Sequence, residues 1–156
     1  MEEIVKYLNT KEKYISTMES ATGGYLASSI TNISGSSLVF KFGAVTYSNE
    51  FKIKMGVGEE IISKYSVYSM ECARAMSEAI VNFTGSNYGV GVTGKINSPD
   101  PNNLYGDDST IYLSIYDKDN NIYYNKVINA KIGERVSNKE LIKEEFVELF
   151  KEKIMK

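Results

Sequence analysis

The sequence predicts a three-layer α/β/α fold, a single domain over residues 1–156 with a mixed β-sheet and a C-terminal helix. Three observations predict it. Helical and strand-like segments alternate through the first ninety or so residues, which favours parallel strands with crossover helices. A hairpin pattern runs from Ile111 to Ala130, which adds antiparallel strands. The closing segment is amphipathic at helical spacing. At 156 residues and 42% hydrophobic composition, the chain is long enough for one core and too short for two ordinary domains.

The residues through Leu8 read as a short helix, and Tyr14-Ile15-Ser16-Thr17-Met18 as a strand of β-branched and aromatic residues. Thr22-Gly23-Gly24 opens a helix with Leu26, Ile30 and Ile33 at helical spacing, and Ser34-Gly35 stops it. Val39 to Tyr47 is rich in Val and Phe and predicts a strand covered on both faces. A helix follows, capped by Ser48 or Asn49, with Phe51, Met55 and Ile53 expected inward and Gly56 at its end. Ile61 to Tyr65 reads as a short helix. Ser69 to Phe83 reads as a longer one, with Ala73, Met76, Ile80 and Phe83 on its inner face.

Tyr88-Gly89-Val90-Gly91-Val92 is predicted as an inner strand whose glycines allow close backbone approach, and it runs into Thr93-Gly94. Lys95 to Asp107 holds both prolines and several Asn and Asp residues, the pattern of a long polar loop. Ile111, Leu113 and Ile115 mark the next strand, Asp117 to Asn121 a turn, and Ile122 to Ala130 its return. From about Ser137 a last helix should face Ile142, Phe146, Leu149 and Phe150 inward.

Composition removes several kinds of function. Net charge is −2, with Lys and Arg scattered among acids, so no basic stripe for nucleic acid is expected. No apolar run reaches the length of a membrane span, and the first residues lack the basic and apolar regions of a signal peptide; no membrane partner and a cytoplasmic location are expected. The chain has no histidine, which excludes Ser-His-Asp and Cys-His chemistry and removes the commonest zinc ligand. The one cysteine, Cys72, lies in a helical stretch and reads as a buried small apolar residue. Carboxylates without convergent spacing indicate no metal site, and no cofactor is expected.

Small polar residues gather in four segments at predicted element ends, where α/β proteins build sites. They are Glu19-Ser20-Ala21-Thr22-Gly23-Gly24, Ser34-Gly35-Ser36-Ser37, Tyr47-Ser48-Asn49 with Lys52, and Thr93-Gly94. Singly, each is better read as a turn, a cap or a solvated charge. Together, in this order and spacing, they resemble the CinA C-terminal family, also called the nicotinamide-nucleotide amidohydrolases. The resemblance runs from about Lys13 to Arg135, and Gly43-Ala44-Val45-Thr46-Tyr47-Ser48-Asn49-Glu50-Phe51-Lys52 is its most specific part.

The resemblance implies a Ser/Lys hydrolase that converts nicotinamide mononucleotide to nicotinic acid mononucleotide and ammonia. It assigns Ser37, the second serine of Gly-Ser-Ser, as nucleophile and Lys52 as base, with Ser20, Tyr47 and Thr93 around them. Thr22, Gly23, Gly24, Gly94 and Arg135 are implied for substrate binding, and a homo-oligomer, dimer or higher, is implied as the assembly. An amine can serve as base only when neutral, so Lys52 must be depressed by burial or by a nearby cation. Relatives usually carry Gly-Ile-Ala-Gly-Pro after Thr-Gly, where this chain has Lys95-Ile96-Asn97-Ser98-Pro99. That loop is acidic and amide-rich, a composition expected to repel a phosphate. It opens two alternatives: a Ser/Lys hydrolase of another small amide, and a non-catalytic module binding a nucleotide or a protein.

Overall fold

A computed structural model describes all 156 residues. Helix α1 (Glu2–Thr10) leads to strand β1 (Ile15–Glu19), helix α2 (Tyr25–Thr31), a 3₁₀ turn (Ser36–Leu38) and strand β2 (Phe40–Val45). Helices α3 (Asn49–Lys54), α4 (Glu59–Tyr65) and α5 (Met70–Thr84) follow, then strands β3 (Tyr88–Gly94), β4 (Thr110–Asp117) and β5 (Ile122–Asn129), and helix α6 (Arg135–Lys153). The five strands form one sheet in the order β2-β1-β3-β4-β5. β2, β1 and β3 are parallel, and β4 and β5 complete the sheet antiparallel. The expected mixed sheet and three layers are therefore present.

Strand alternation divides the core in two. Ile15, Val90, Val92, Ile111 and Leu113 turn to one face and meet α1, α2 and α6 through Leu8, Leu26, Ile30, Ile142, Phe146 and Phe150. Met18 turns to the other and packs with Cys72, Met76 and Ile80 of α5. Cys72 is fully buried there, as its setting in the sequence suggested. Gly89 and Gly91 occupy the α5 side of β3, and a Cβ on Gly91 would lie 2.2 Å from the Ala73 carbonyl oxygen. The bare backbone of β3 is what lets α5 sit against the centre of the sheet. Ser69 caps α5 by accepting from the Cys72 amide at 3.1 Å, and Gly85 at φ 74° ends it.

Three sidedness expectations are corrected. The Val39–Tyr47 segment is not covered on both faces, because β2 is the terminal strand and most of its residues are exposed. Phe83 is exposed and packs at a tilt beside Phe42, 5.2 Å between ring centres, instead of joining the core. In α3, Phe51 is 53% exposed and Ile53 is also exposed, while Lys52 is 2% exposed. A helix of six residues has no room for a full apolar stripe, and α3 lies over the end of the sheet, where polar partners for one side chain are available. The last helix begins at Arg135, two residues before the expected start.

Substituting Gly91→Ala should force α5 away from β3, since both atoms nearest the new methyl group are helix backbone. The expected loss is about 1–3 kcal/mol of unfolding free energy, checked by urea denaturation; an unchanged midpoint would contradict this packing.

Candidate active site at the carboxyl ends of the parallel strands

Parallel neighbours in a sheet bring their carboxyl ends side by side. Ser20 follows β1, Thr46 follows β2, and Thr93-Gly94 closes β3. The Ser20 amide donates to the Val92 carbonyl at 3.0 Å and the Thr46 amide to the Glu19 carbonyl at 2.8 Å, so the three ends are laced by main-chain bonds. α3 then turns back across them, with Ser48 as its cap, accepting from the Phe51 amide at 3.2 Å.

That path brings Lys52 inside. Its Nζ lies 3.1 Å from Ser20 Oγ and 2.8 Å from the Thr46 carbonyl oxygen. Both side chains are buried. Burial lowers the Lys52 pKa below its ordinary value, against smaller opposing effects from Cys72 and Asp100. Burial also pushes the Cys72 thiol up to about 11, which keeps it protonated. The amine thus meets a neutral thiol, a carbonyl and a hydroxyl, and no carboxylate bonds to it.

The turn carrying Ser20 is held by a group that sequence reasoning passed over. Glu19 is wholly buried. Its Oε1 accepts from Thr22 Oγ1 at 2.7 Å and the Leu26 amide at 2.8 Å; its Oε2 accepts from the Ala27 amide at 2.9 Å and Thr17 Oγ1 at 3.3 Å. Helix α2 has glycine at its N-cap and no side-chain cap of its own. The strand's terminal carboxylate caps it from outside, where helix amides and the helix dipole both favour an anion. Gly23 and Gly24, at φ 62° and 94°, make the turn between them. The signal available in the sequence was a carboxylate at the end of a buried strand, just ahead of a helix whose cap position is glycine. The amides of Ala21 and Thr22, beside Ser20, donate to no group of the chain.

Ser20, Tyr47, Gly94 and Arg135 line one cavity of about 590 Å³, together with residues of the Lys95–Asn103 segment. Tyr47 is exposed there, and Arg135 donates to the Ile96 carbonyl at 3.0 Å. Thr93 is buried, and its hydroxyl donates to the Val67 carbonyl at 2.7 Å, so its proton is committed to tying the segment ahead of α5 to the sheet. Thr22, through Glu19, belongs to the support of the turn. No cluster of three or more Cys, Asp or Glu side chains is placed to hold a metal ion.

Ser37 is elsewhere. It is exposed on the 3₁₀ turn that leads into β2, and the Val39 carbonyl just beyond accepts from the Ile15 amide at 2.8 Å. This is the amino-terminal edge of the parallel strands. The six residues of β2 separate it from the Lys52 end, roughly 20 Å at the usual strand rise. The expected Ser37–Lys52 contact does not exist; Gly35-Ser36-Ser37 closes a turn, with Leu38 N donating to Gly35 O and Val39 N to Ser36 O. The hydroxyl against Lys52 is that of Ser20.

The CinA C-terminal domain family matches residues 1–154. A competence-damage inducible protein of Clostridium perfringens is 46% identical over 96 residues, which is 60% of this chain and 23% of the relative; one of Alkaliphilus oremlandii is 48% identical over the same extent. The chain therefore spans under a quarter of the length of these curated relatives. Among solved structures, a competence/damage inducible protein of Agrobacterium tumefaciens superposes with TM-score 0.81 at 25% identity, covering 94% of this chain and 91% of that one. One from Klebsiella pneumoniae gives 0.86 at 22% identity, covering 98% and 93%, and shows likeness of fold.

Replacing Glu19 with Gln turns one acceptor toward donors as a donor itself. The expected loss is about 1–3 kcal/mol of stability, read by thermal or urea unfolding; a variant as stable as the parent would show that the carboxylate does not hold the turn.

Proposed function

The chain belongs to the CinA C-terminal domain family, and from that premise we propose that it is an amidohydrolase with Ser20 as nucleophile and Lys52 as base. Its proposed substrate is the one the family resemblance implies, nicotinamide mononucleotide. The observation that carries the reading is the buried 3.1 Å contact between Lys52 Nζ and Ser20 Oγ beside a cavity of about 590 Å³. A cavity of that size suits a small-molecule ligand.

Lys52 Nζ donates to the Thr46 carbonyl and lies against Ser20 Oγ, so that once the amine is neutral its lone pair can turn to the Ser20 hydroxyl. Burial, which disfavours the ammonium form, therefore produces the base that a chain without histidine needs. As Ser20 Oγ bonds to the carboxamide carbon, its proton passes to Lys52 and the carbonyl electrons move to oxygen. The amides of Ala21 and Thr22 are the donors suited to that oxyanion. Collapse breaks the C–N bond, and the departing nitrogen takes the proton from Lys52 and leaves as ammonia. Water then attacks the acyl-serine, gives a proton to Lys52, and releases the carboxylate as the proton returns to Ser20. Thr93 has no part in this scheme, because its proton is already donated to Val67.

Ser20→Ala and Lys52→Met should each lower ammonia release from nicotinamide mononucleotide by at least about a hundredfold, with Ser37→Ala within about twofold of the parent. Because the neutral amine is the working form, turnover should rise with pH through the depressed Lys52 pKa. An inactive Ser37→Ala beside an active Ser20→Ala would reverse the assignment, and a parent that releases no ammonia would remove the activity.

A further inference from the structure

The Lys95–Asp108 segment looks hostile to an anion in sequence, and its carboxylates keep their charge, but each is held in place by donors or a cation of the chain. Asp100 accepts from the Asn102 amide at 2.9 Å, from Asn103 Nδ2 at 2.9 Å and from the Tyr68 hydroxyl. Asp107 accepts from Ser109 and Thr110 and shapes the turn into β4. Glu50, on the cavity wall, is paired with Lys54 at 2.6 Å. Asp108, 53% exposed at its side chain, is the acid paired with Lys95, at 3.2 Å, and the charge of Asp100 acts on the same ammonium from farther off.

The cations are in the opposite condition. Lys95 lines the cavity with 4% of its surface exposed and lies 4.9 Å from the centre of the Tyr68 ring. Its ammonium has three donors and uses one, on Asp108. The Arg135 guanidinium uses one of its five, on the carbonyl of Ile96, the residue after Lys95. Two neighbouring cations with unspent donors thus share a cavity with Ser20. A buried ammonium with one hydrogen bond is costly unless a ligand completes it.

We infer that Lys95, with Arg135 beside it, is the specificity-determining group that binds an anionic substituent, a phosphate monoester, on the substrate whose amide faces Ser20. This rests on the amidohydrolase reading for what the ligand is, and it assigns the ligand's charged end to a residue that stands where the family usually has the first glycine of its glycine-rich segment. Asp108 competes with the ligand for the same ammonium. Removing that acid should therefore strengthen binding, whereas removing the lysine should weaken it.

The test is calorimetric titration with nicotinamide mononucleotide and with nicotinamide riboside, which keeps the pyridinium cation and lacks only the phosphate, in a Ser20→Ala background that blocks turnover. The nucleotide should bind at least about tenfold tighter than the nucleoside. Lys95→Met should cut that preference at least about fivefold, leave nucleoside affinity within about twofold, and be rescued in large part by Lys95→Arg. Asp108→Asn, at a half-exposed position where folding is not at stake, should raise the preference about threefold. A preference unchanged in both Lys95→Met and Asp108→Asn, an equal weakening of both ligands, or a parent that fails to prefer the nucleotide overturns the inference. Intact preference without ammonia release would remove the catalytic reading and keep this one; ammonia release without preference would do the reverse.

Discussion

A lysine amine enclosed at the carboxyl ends of three parallel strands is the constraint on which this site depends. An ammonium ion taken out of water costs several kcal/mol unless it is paired, and no carboxylate is bonded to Lys52. Burial lowers the Lys52 pKa, and the amine gives its polarity to a carbonyl and a hydroxyl. Stability and reactivity are linked at this point, because the environment that makes the charged form expensive is also the one that leaves a lone pair against Ser20.

The rest of the architecture can be followed outward from that contact. Strand order brings Ser20, Thr46 and Gly94 together, which no local stretch of chain could do. Gly89 and Gly91 let α5 close against β3, which brings Met76 into the core beside Met18 and Cys72 near the amine. Glu19 anchors the start of α2 and holds the turn that carries Ser20. Main-chain bonds from Ser20 to Val92 and from Thr46 to Glu19 prevent the strand ends from drifting apart. The result is a serine hydroxyl and a lysine amine carried on rigid elements, with the serine on a cavity whose far wall is loop.

Much of this was legible in residue patterns, because apolar periodicity and glycine placement act locally. The alternation of elements, the hairpin and the inner glycine strand all follow from them. Sidedness at the edges was harder: the run from Val39 to Tyr47 is apolar enough for a central strand, and only strand order shows that one side of it has no neighbour. Phe51 is exposed against expectation for a related reason, since a six-residue helix follows the partners at the sheet's end, where Lys52 is buried, in preference to an apolar stripe. Which serine meets Lys52 was not legible, because Gly35-Ser36-Ser37 and Glu19-Ser20 carry similar residue types at opposite ends of parallel strands, and sequence order does not say which end a lysine will reach.

The most direct test of the central claim is to titrate Lys52 itself. In protein carrying ¹³C-labelled lysine, the Cε resonance missing from Lys52→Met identifies the residue, and its shift against pH reports the charge of the amine. A midpoint below that of the chain's exposed lysines, moving when Ser20 is replaced by Ala, is the predicted result. A midpoint in the ordinary lysine range of about 10.4, unaffected at Ser20→Ala, would mean that the amine is charged at neutral pH and is not the base.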